Sequence, residues 1–339
     1  MLKKIFFLAF VICLSLIAFP QKLAPTYTIK SSKALPGRII PSNQKDFILE
    51  QRVSVQVSCK VKVFILAGQS NAVGYNNINE FHGGGKDFRE TFHKQSGILF
   101  WPGSNAREGF ANLWIKLQMG VSDISDTKPF KDSCFGPEIG FGETLSEALP
   151  DERIAIIKYA VGATGIACSS DYRDYIPALK GFDDKGRNWH PPTNNKNPGI
   201  LYESLMDNIH AALASLRGMG KNYEISGFIW MEGEHEAGIS MKMANDYGKL
   251  LTLFIRSVRS DLGVKDLPFV IGEVNSHSWA YGDIVRKHQS EVCQRDPNSL
   301  LIKTTDLSRN GVGGPAHFDA DGMLKLGNRF AHGMLQLLM

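Results

Sequence analysis

Val61-Lys62-Val63-Phe64-Ile65-Leu66-Ala67-Gly68-Gln69-Ser70-Asn71-Ala72-Val73-Gly74-Tyr75 is the stretch that decides the fold. Val61 to Ala67 is a run of β-branched and apolar side chains, long enough for one strand buried on both faces. Such strands belong to sheets covered by helices on each side. The run stops at Gly68-Gln69-Ser70-Asn71, a polar corner with a glycine that permits an unusual backbone angle. A serine at the carboxyl end of a buried strand sits where open α/β sheets hold their ligands. Ser70 is therefore the candidate nucleophile. An unassisted serine hydroxyl is a weak one, so the chain must also supply a base, an acid and oxyanion donors.

Further strand-length apolar runs follow at Arg153 to Tyr159, Ile225 to Met231, Leu267 to Gly272 and Leu300 to Thr304. Helical spacing lies between them. Phe135-Gly136-Pro137-Glu138 opens a helix carrying Ile139, Phe141, Leu145 and Leu149, with proline in its first turn. Leu201, Leu205, Ile209 and Leu213 line a second, and Met243, Tyr247, Leu251 and Phe254 a third. A helix from about Asp283 to Cys293 and a last one with Leu326, Phe330 and Met334 complete the pattern. Strands alternating with helices predict an α/β fold with a doubly wound, mainly parallel, five-stranded sheet. The first three strands end at Gly68-Gln69-Ser70-Asn71, Val161-Gly162-Ala163-Thr164 and Glu232-Gly233-Glu234-His235-Glu236, so these turns should meet on one rim. Asn76 to Asp132 lacks periodicity and reads as a long loop shaping a substrate site. Its Trp101, Phe110 and Trp114 either stack on sugar faces or pin the loop to the core.

The chain has 339 residues, 43% hydrophobic, which suffices for one large α/β domain at 60–339. Its net charge of +4, with no long Lys/Arg run, gives no ground for a nucleic-acid partner. Lys3-Lys4 precede an apolar run from Ile5 to Phe19, the layout of a signal peptide over 1–20; an uncleaved membrane anchor is the alternative. The chain is thus expected to be secreted or periplasmic, with no stable membrane insertion once the signal is removed. Residues 21–59 read as a linker or edge extension, in which Val53, Val55 and Val57 could add a strand. Cys59, Cys134, Cys168 and Cys293 would then stand in an oxidising compartment, either paired in one of three ways or as buried thiols. No two have C-x-x-C spacing. His235-Glu236 lacks the second histidine of a zinc helix, Gly83-Gly84-Gly85-Lys86 lacks the frame of a phosphate loop, and Gly140-Phe141-Gly142 lacks the third glycine of a dinucleotide site. These spacings therefore carry no zinc, redox, phosphate-loop or dinucleotide motif.

Five blocks recur in order: Gly68-Gln69-Ser70-Asn71, Phe135-Gly136-Pro137-Glu138, Val161-Gly162-Ala163-Thr164, Gly233-Glu234 after Trp230, and His317-Phe318 with Gly322 and Leu326-Gly327. Together, over Val61 to Ala331, they resemble the sialate O-acetylesterase-type branch of the SGNH hydrolases, the carbohydrate esterase family six group that includes acetylxylan esterases. The resemblance implies a three-layer flavodoxin-like fold and a cofactor-free serine esterase that deacetylates carbohydrates: xylan, sialic acid or related glycans. It implies Ser70 as nucleophile, His317 as general base, and the backbone N–H groups of Ser70 and Gly162 as oxyanion donors. Gln69 and Asn71 flank the serine and would modulate the site.

Two positions depart from the family pattern. Gly314 stands three residues before His317, where much of the superfamily has an aspartate, so Glu234 becomes the candidate acid and Asp319 a distant second. Glu232 stands where the branch has a glutamine. An ionised carboxylate there would repel the oxyanion, and losing one oxyanion donor costs on the order of 3 kcal/mol. Glu232 is therefore protonated by burial beside other carboxylates, or points elsewhere, or marks a changed activity. A catalytically impaired carbohydrate-binding protein on the same scaffold is the alternative function. In the leading reading, activity rises with pH as the histidine loses its proton, at about 6 to 7.

Overall fold

The structure, a computed structural model, describes residues 60–77, 97–103, 106–107, 109–122, 134–168, 171–172, 187–275, 279–311 and 314–339. The expected signal peptide, the linker with its Val53–Val57 strand, and Cys59 lie outside these residues.

Strand β1 (Val61–Gly68) forms as its composition requires, and every side chain from Val63 to Ala67 is at most 2% exposed. It runs into helix α1 (Ser70–Val73). Then follow β2 (Leu99–Trp101), β3 (Ile115–Lys116), α2 (Glu138–Ala148), β4 (Arg153–Ala160) and α3 (Ile200–Gly218). The second half holds β5 (Tyr223–Met231), α4 (Glu234–Ile239), α5 (Met241–Asp261), β6 (Phe269–Gly272), α6 (Gly282–Arg295), β7 (Ser299–Ile302) and α7 (Ala320–Leu338).

The sheet has seven strands in the order β3-β2-β4-β1-β5-β6-β7, not the expected five. The two additions, β2 and β3, come from the Asn76–Asp132 segment read as loop. They are three and two residues long, too short to show a period. All pairings are parallel except β2 with β3.

Alternation along β1 divides the core. Val63, Ile65 and Ala67 join one apolar cluster with Leu205, Ile209, Tyr247 and Phe254 of α3 and α5. Phe64 and Leu66 join the other with Ile139, Phe141, Phe330 and Met334 of α2 and α7. The result is a three-layer α/β/α sandwich. β1 lies at its centre, with β4 on one side and β5 on the other, in register over its whole length on the β4 side. The chain's course reverses at β1, which leaves a crevice above its carboxyl end.

Two of the loop aromatics are accounted for by packing. Trp101 is 4% exposed and its indole N–H donates to Asn208 Oδ1 at 2.9 Å. Trp114 packs on it at 5.4 Å and donates to the Ala212 carbonyl at 3.2 Å, so both pin this segment to α3. No disulfide joins any two of Cys134, Cys168 and Cys293. Among the described residues no helix is long and apolar enough to cross a membrane.

Candidate active site

The crevice is built first by a backbone constraint. Gly68 has φ 141°, and a Cβ there would lie 2.0 Å from the Met231 carbonyl oxygen at the end of β5. Only glycine lets β1 close on β5 and then turn. Gln69 N–H donates to that same carbonyl at 2.9 Å, which swings Ser70 into the first turn of α1 on the sheet rim. Ser70 is 9% exposed. On the other flank Val161 N–H donates to the Gly68 carbonyl at 3.0 Å, so the turn after β4 lies alongside, with Gly162 next in sequence. Among the described residues no backbone carbonyl outside the helices and strands accepts from the Ser70 or the Gly162 N–H.

Asn71 links the serine turn to the histidine loop. Its Nδ2 donates to the Ala316 carbonyl at 3.2 Å, and its Oδ1 accepts from Phe318 N–H at 3.2 Å. One side chain thus holds the residues immediately before and after His317. Asn71 thus orders a loop 245 residues away in sequence. The His317 ring stacks on Tyr75 at 4.9 Å with 24° between the planes. A Cβ on Gly162 would lie 3.1 Å from the Tyr75 hydroxyl, so Tyr75 spans from the imidazole to the Gly162 turn. Tyr75 ends the stretch that decides the fold, yet its part in the site carries no sequence signal beyond nearness to Ser70.

Glu234 opens α4 at 2% exposure. Its Oε1 accepts from Asn71 Nδ2 at 2.8 Å and its Oε2 from Gln69 Nε2. Both oxygens are therefore held by amides of the nucleophile turn, and Asn71 links Glu234 to the His317 loop. Burial raises its carboxyl above the ordinary value, against the two amide donors, which lower it. Asp319 is spoken for as the N-cap of α7, accepting from Gly322 N–H at 2.9 Å and from the Ser308 hydroxyl. Gly314 has φ 97°, and His317 N–H donates to its carbonyl at 3.1 Å. A left-handed turn occupies the position where an aspartate would otherwise orient the histidine.

Glu232 is fully buried at the end of β5. Burial, then Glu236 and Glu234, push its carboxyl well above the ordinary range. Its backbone carbonyl accepts from Tyr247 Oη at 3.0 Å and from Gln289 Nε2 at 3.2 Å. Of the features expected around Glu232, the burial beside other carboxylates is present.

Beneath α1 lies an ion pair that the strand pattern concealed. Lys158, inside the apolar run of β4, donates from Nζ to Glu138 Oε2 at 2.8 Å, Val73 carbonyl at 2.9 Å and Ser122 Oγ at 2.9 Å. Glu138 Oε1 accepts from Gly136 N–H at 3.0 Å. Burial pulls the Lys158 ammonium below its ordinary value, against the Glu138 carboxylate, which raises it. The Phe135-Gly136-Pro137-Glu138 block thus has a physical role: its glutamate neutralises the lysine that props the end of α1. A lone lysine in a buried strand was the available signal. Among the described residues no cluster of His, Cys, Asp or Glu could hold a metal ion.

A family model for "Carbohydrate esterase, sialic acid-specific acetylesterase" matches residues 60–336. No curated protein matches the sequence. Among solved structures, a protein from Arabidopsis thaliana is similar at TM-score 0.56 and 18% identity, over 82% of this chain and 98% of its own. NanS is similar at TM-score 0.55 and 13% identity, over 82% and 98%. XAC1771, described as a novel carbohydrate acetylesterase from Xanthomonas citri, is similar at 0.51 and 16%, over 82% of this chain and 56% of its own. At such identities the likeness establishes the fold. The family match runs from β1 into α7 and takes in every turn described above, so the chain belongs to the sialic acid-specific acetylesterase family of carbohydrate esterases and is a carboxylic ester hydrolase.

Proposed function

We propose that this chain is a secreted serine esterase that removes O-acetyl groups from carbohydrates, such as acetylated xylan or sialic acid, through an acetyl-serine intermediate. The observation that carries the proposal is the Asn71 clasp, which fixes Ser70's turn to both neighbours of His317. His317 takes the Ser70 proton as Oγ attacks the acetyl carbonyl. The N–H groups of Ser70 and Gly162 receive the oxyanion. The protonated His317 then gives its proton to the departing sugar hydroxyl. Water attacks the acetyl-enzyme by the reverse route and releases acetate. Glu234 serves the histidine indirectly, by holding Gln69 and Asn71. The upward push on the Glu232 carboxyl supports this reading, since a carboxyl held neutral adds no negative charge to the site.

The second reading, a carbohydrate-binding protein without turnover, is favoured by Gly314 alone, whose turn leaves the histidine without an aspartate three residues upstream. Acetate release from acetylated xylan, O-acetylated sialic acid and p-nitrophenyl acetate separates the two. The esterase reading expects turnover by wild type and none above background by Ser70→Ala. Glycan binding with equal inertness of both proteins overturns it. The Lys3–Phe19 pattern supports export; a protein retained in the cytoplasm with Lys3 and Lys4 still attached contradicts that part.

A further inference from the structure

Glu232 and Glu236 are both fully buried, four residues apart across the β5–α4 turn. Glu232 Oε2 accepts from Tyr247 at 3.3 Å, and Glu236 Oε1 accepts from Ala167 N–H at 2.8 Å. Their other oxygens, Glu232 Oε1 and Glu236 Oε2, are buried and have no donor. Glu236 is the charged neighbour that most pushes the Glu232 carboxyl up. Two carboxylates in that position would repel each other in a dry interior. A single proton shared between the two carboxyls would relieve that repulsion and give the orphan oxygens a donor.

Ala167 closes the segment that begins at Gly162. A Cβ on Gly165 would lie 2.6 Å from Glu236 Oε1, so this backbone rests directly on the carboxyl. We propose that Glu236 is a positioning residue for the Gly162–Ala167 loop, and that it works as one half of a proton-sharing pair with Glu232. The catalytic consequence rests on the esterase reading above; the pair itself does not.

The ionisable groups around the pair are Glu234 and His235 from the same turn, Tyr247 from α5 and Tyr172. The charges acting on Glu232 are negative, so loss of the shared proton is opposed. A buried acid whose folded value is raised contributes stability at low pH that is lost as pH rises from the unfolded value towards the folded one. Above the ordinary glutamate range, therefore, the wild type should lose more stability with rising pH than Glu232→Gln.

The test uses the whole protein with Glu232→Gln, Glu236→Gln and Glu236→Ala. The Tm of Glu232→Gln relative to wild type should climb by at least about 3 °C between pH 5 and pH 8.5. Parallel Tm curves overturn proton sharing. Peptides covering 162–168 should exchange backbone hydrogens at least about tenfold faster in Glu236→Ala, and near the wild-type rate in Glu236→Gln, whose amide oxygen still accepts from Ala167. Unchanged exchange in Glu236→Ala overturns the positioning role. In an active enzyme, Glu236→Ala should lower kcat about 100-fold with KM little changed, and Glu236→Gln should recover most of it. Full kcat in a folded Glu236→Ala also overturns that role. A wild type inert on every acetyl ester, with the Tm and exchange results as expected, overturns the esterase reading and upholds the pair.

Discussion

Replacing Asn71 by alanine tests whether the serine turn and the histidine loop are one mechanical unit. The side chain is 1% exposed and makes three hydrogen bonds, to Glu234, Ala316 and Phe318. The bond to the buried carboxyl of Glu234 is charge-assisted and worth about 1.5–3 kcal/mol, and the two neutral ones about 1 kcal/mol each. Their joint loss predicts a stability deficit of about 3.5–5 kcal/mol. That deficit should grow with pH. Glu234 is already raised by burial, and removing one of its two amide donors raises it further. An acid with a raised folded value loses stabilisation as pH climbs from its unfolded value, about 4.3, through that folded value. The catalytic loss follows from geometry: a displacement of about 1 Å in a catalytic group costs on the order of 100-fold. Denaturant unfolding at pH 5 and pH 8, with kcat/KM for acetate release, reads both effects. An Asn71→Ala protein within about twofold of wild type in kcat/KM would refute the reasoning, as would an unfolding free energy changed by less than about 1 kcal/mol.

Other perturbations separate the remaining contacts. Tyr75→Phe keeps the stack on His317, whereas Tyr75→Ala removes an aromatic contact worth about 0.5–1.5 kcal/mol; kcat/KM should fall about two- to tenfold in the alanine variant relative to the phenylalanine one, and equal rates would dismiss the stack. Glu138→Ala leaves the Lys158 ammonium buried without its carboxylate, which should cost about 3–5 kcal/mol of stability in urea unfolding. A loss under about 1 kcal/mol there would mean that the pair does not prop α1. Gly68→Ala should give little soluble protein, since its Cβ has no room beside the Met231 carbonyl; normal expression and melting would contradict the turn.

The architecture was legible because burial on both faces writes itself into β1, β4 and β5 as apolar runs, and helical spacing separates them. What escaped was whatever lacked length or local pattern. β2 and β3 add only five residues between them to the sheet edge, and nothing in Leu99–Trp101 or Ile115–Lys116 marks a strand. In the site, Ser70 was readable from its place at the end of a buried strand. The links around it were not, because each joins residues far apart in the chain: Asn71 to Phe318, Gln69 to Glu234, Tyr75 to His317. Sequence could nominate Glu234 as an acid, but not that amides of the serine's own turn would occupy both its oxygens. Glu232 looked like an electrostatic fault because a carboxyl on paper is ionised. Burial and neighbouring acids instead push it well above the ordinary range.

The central claim is that Ser70 carries the acetyl group during turnover. Rapid quenching of the protein with an activated acetyl ester, followed by mass spectrometry of its peptides, tests it directly. One acetyl group should appear on the peptide containing Ser70 before steady-state acetate release, and none in Ser70→Ala. Acetyl transfer to a different residue, or acetate release by Ser70→Ala at the wild-type rate, would contradict it.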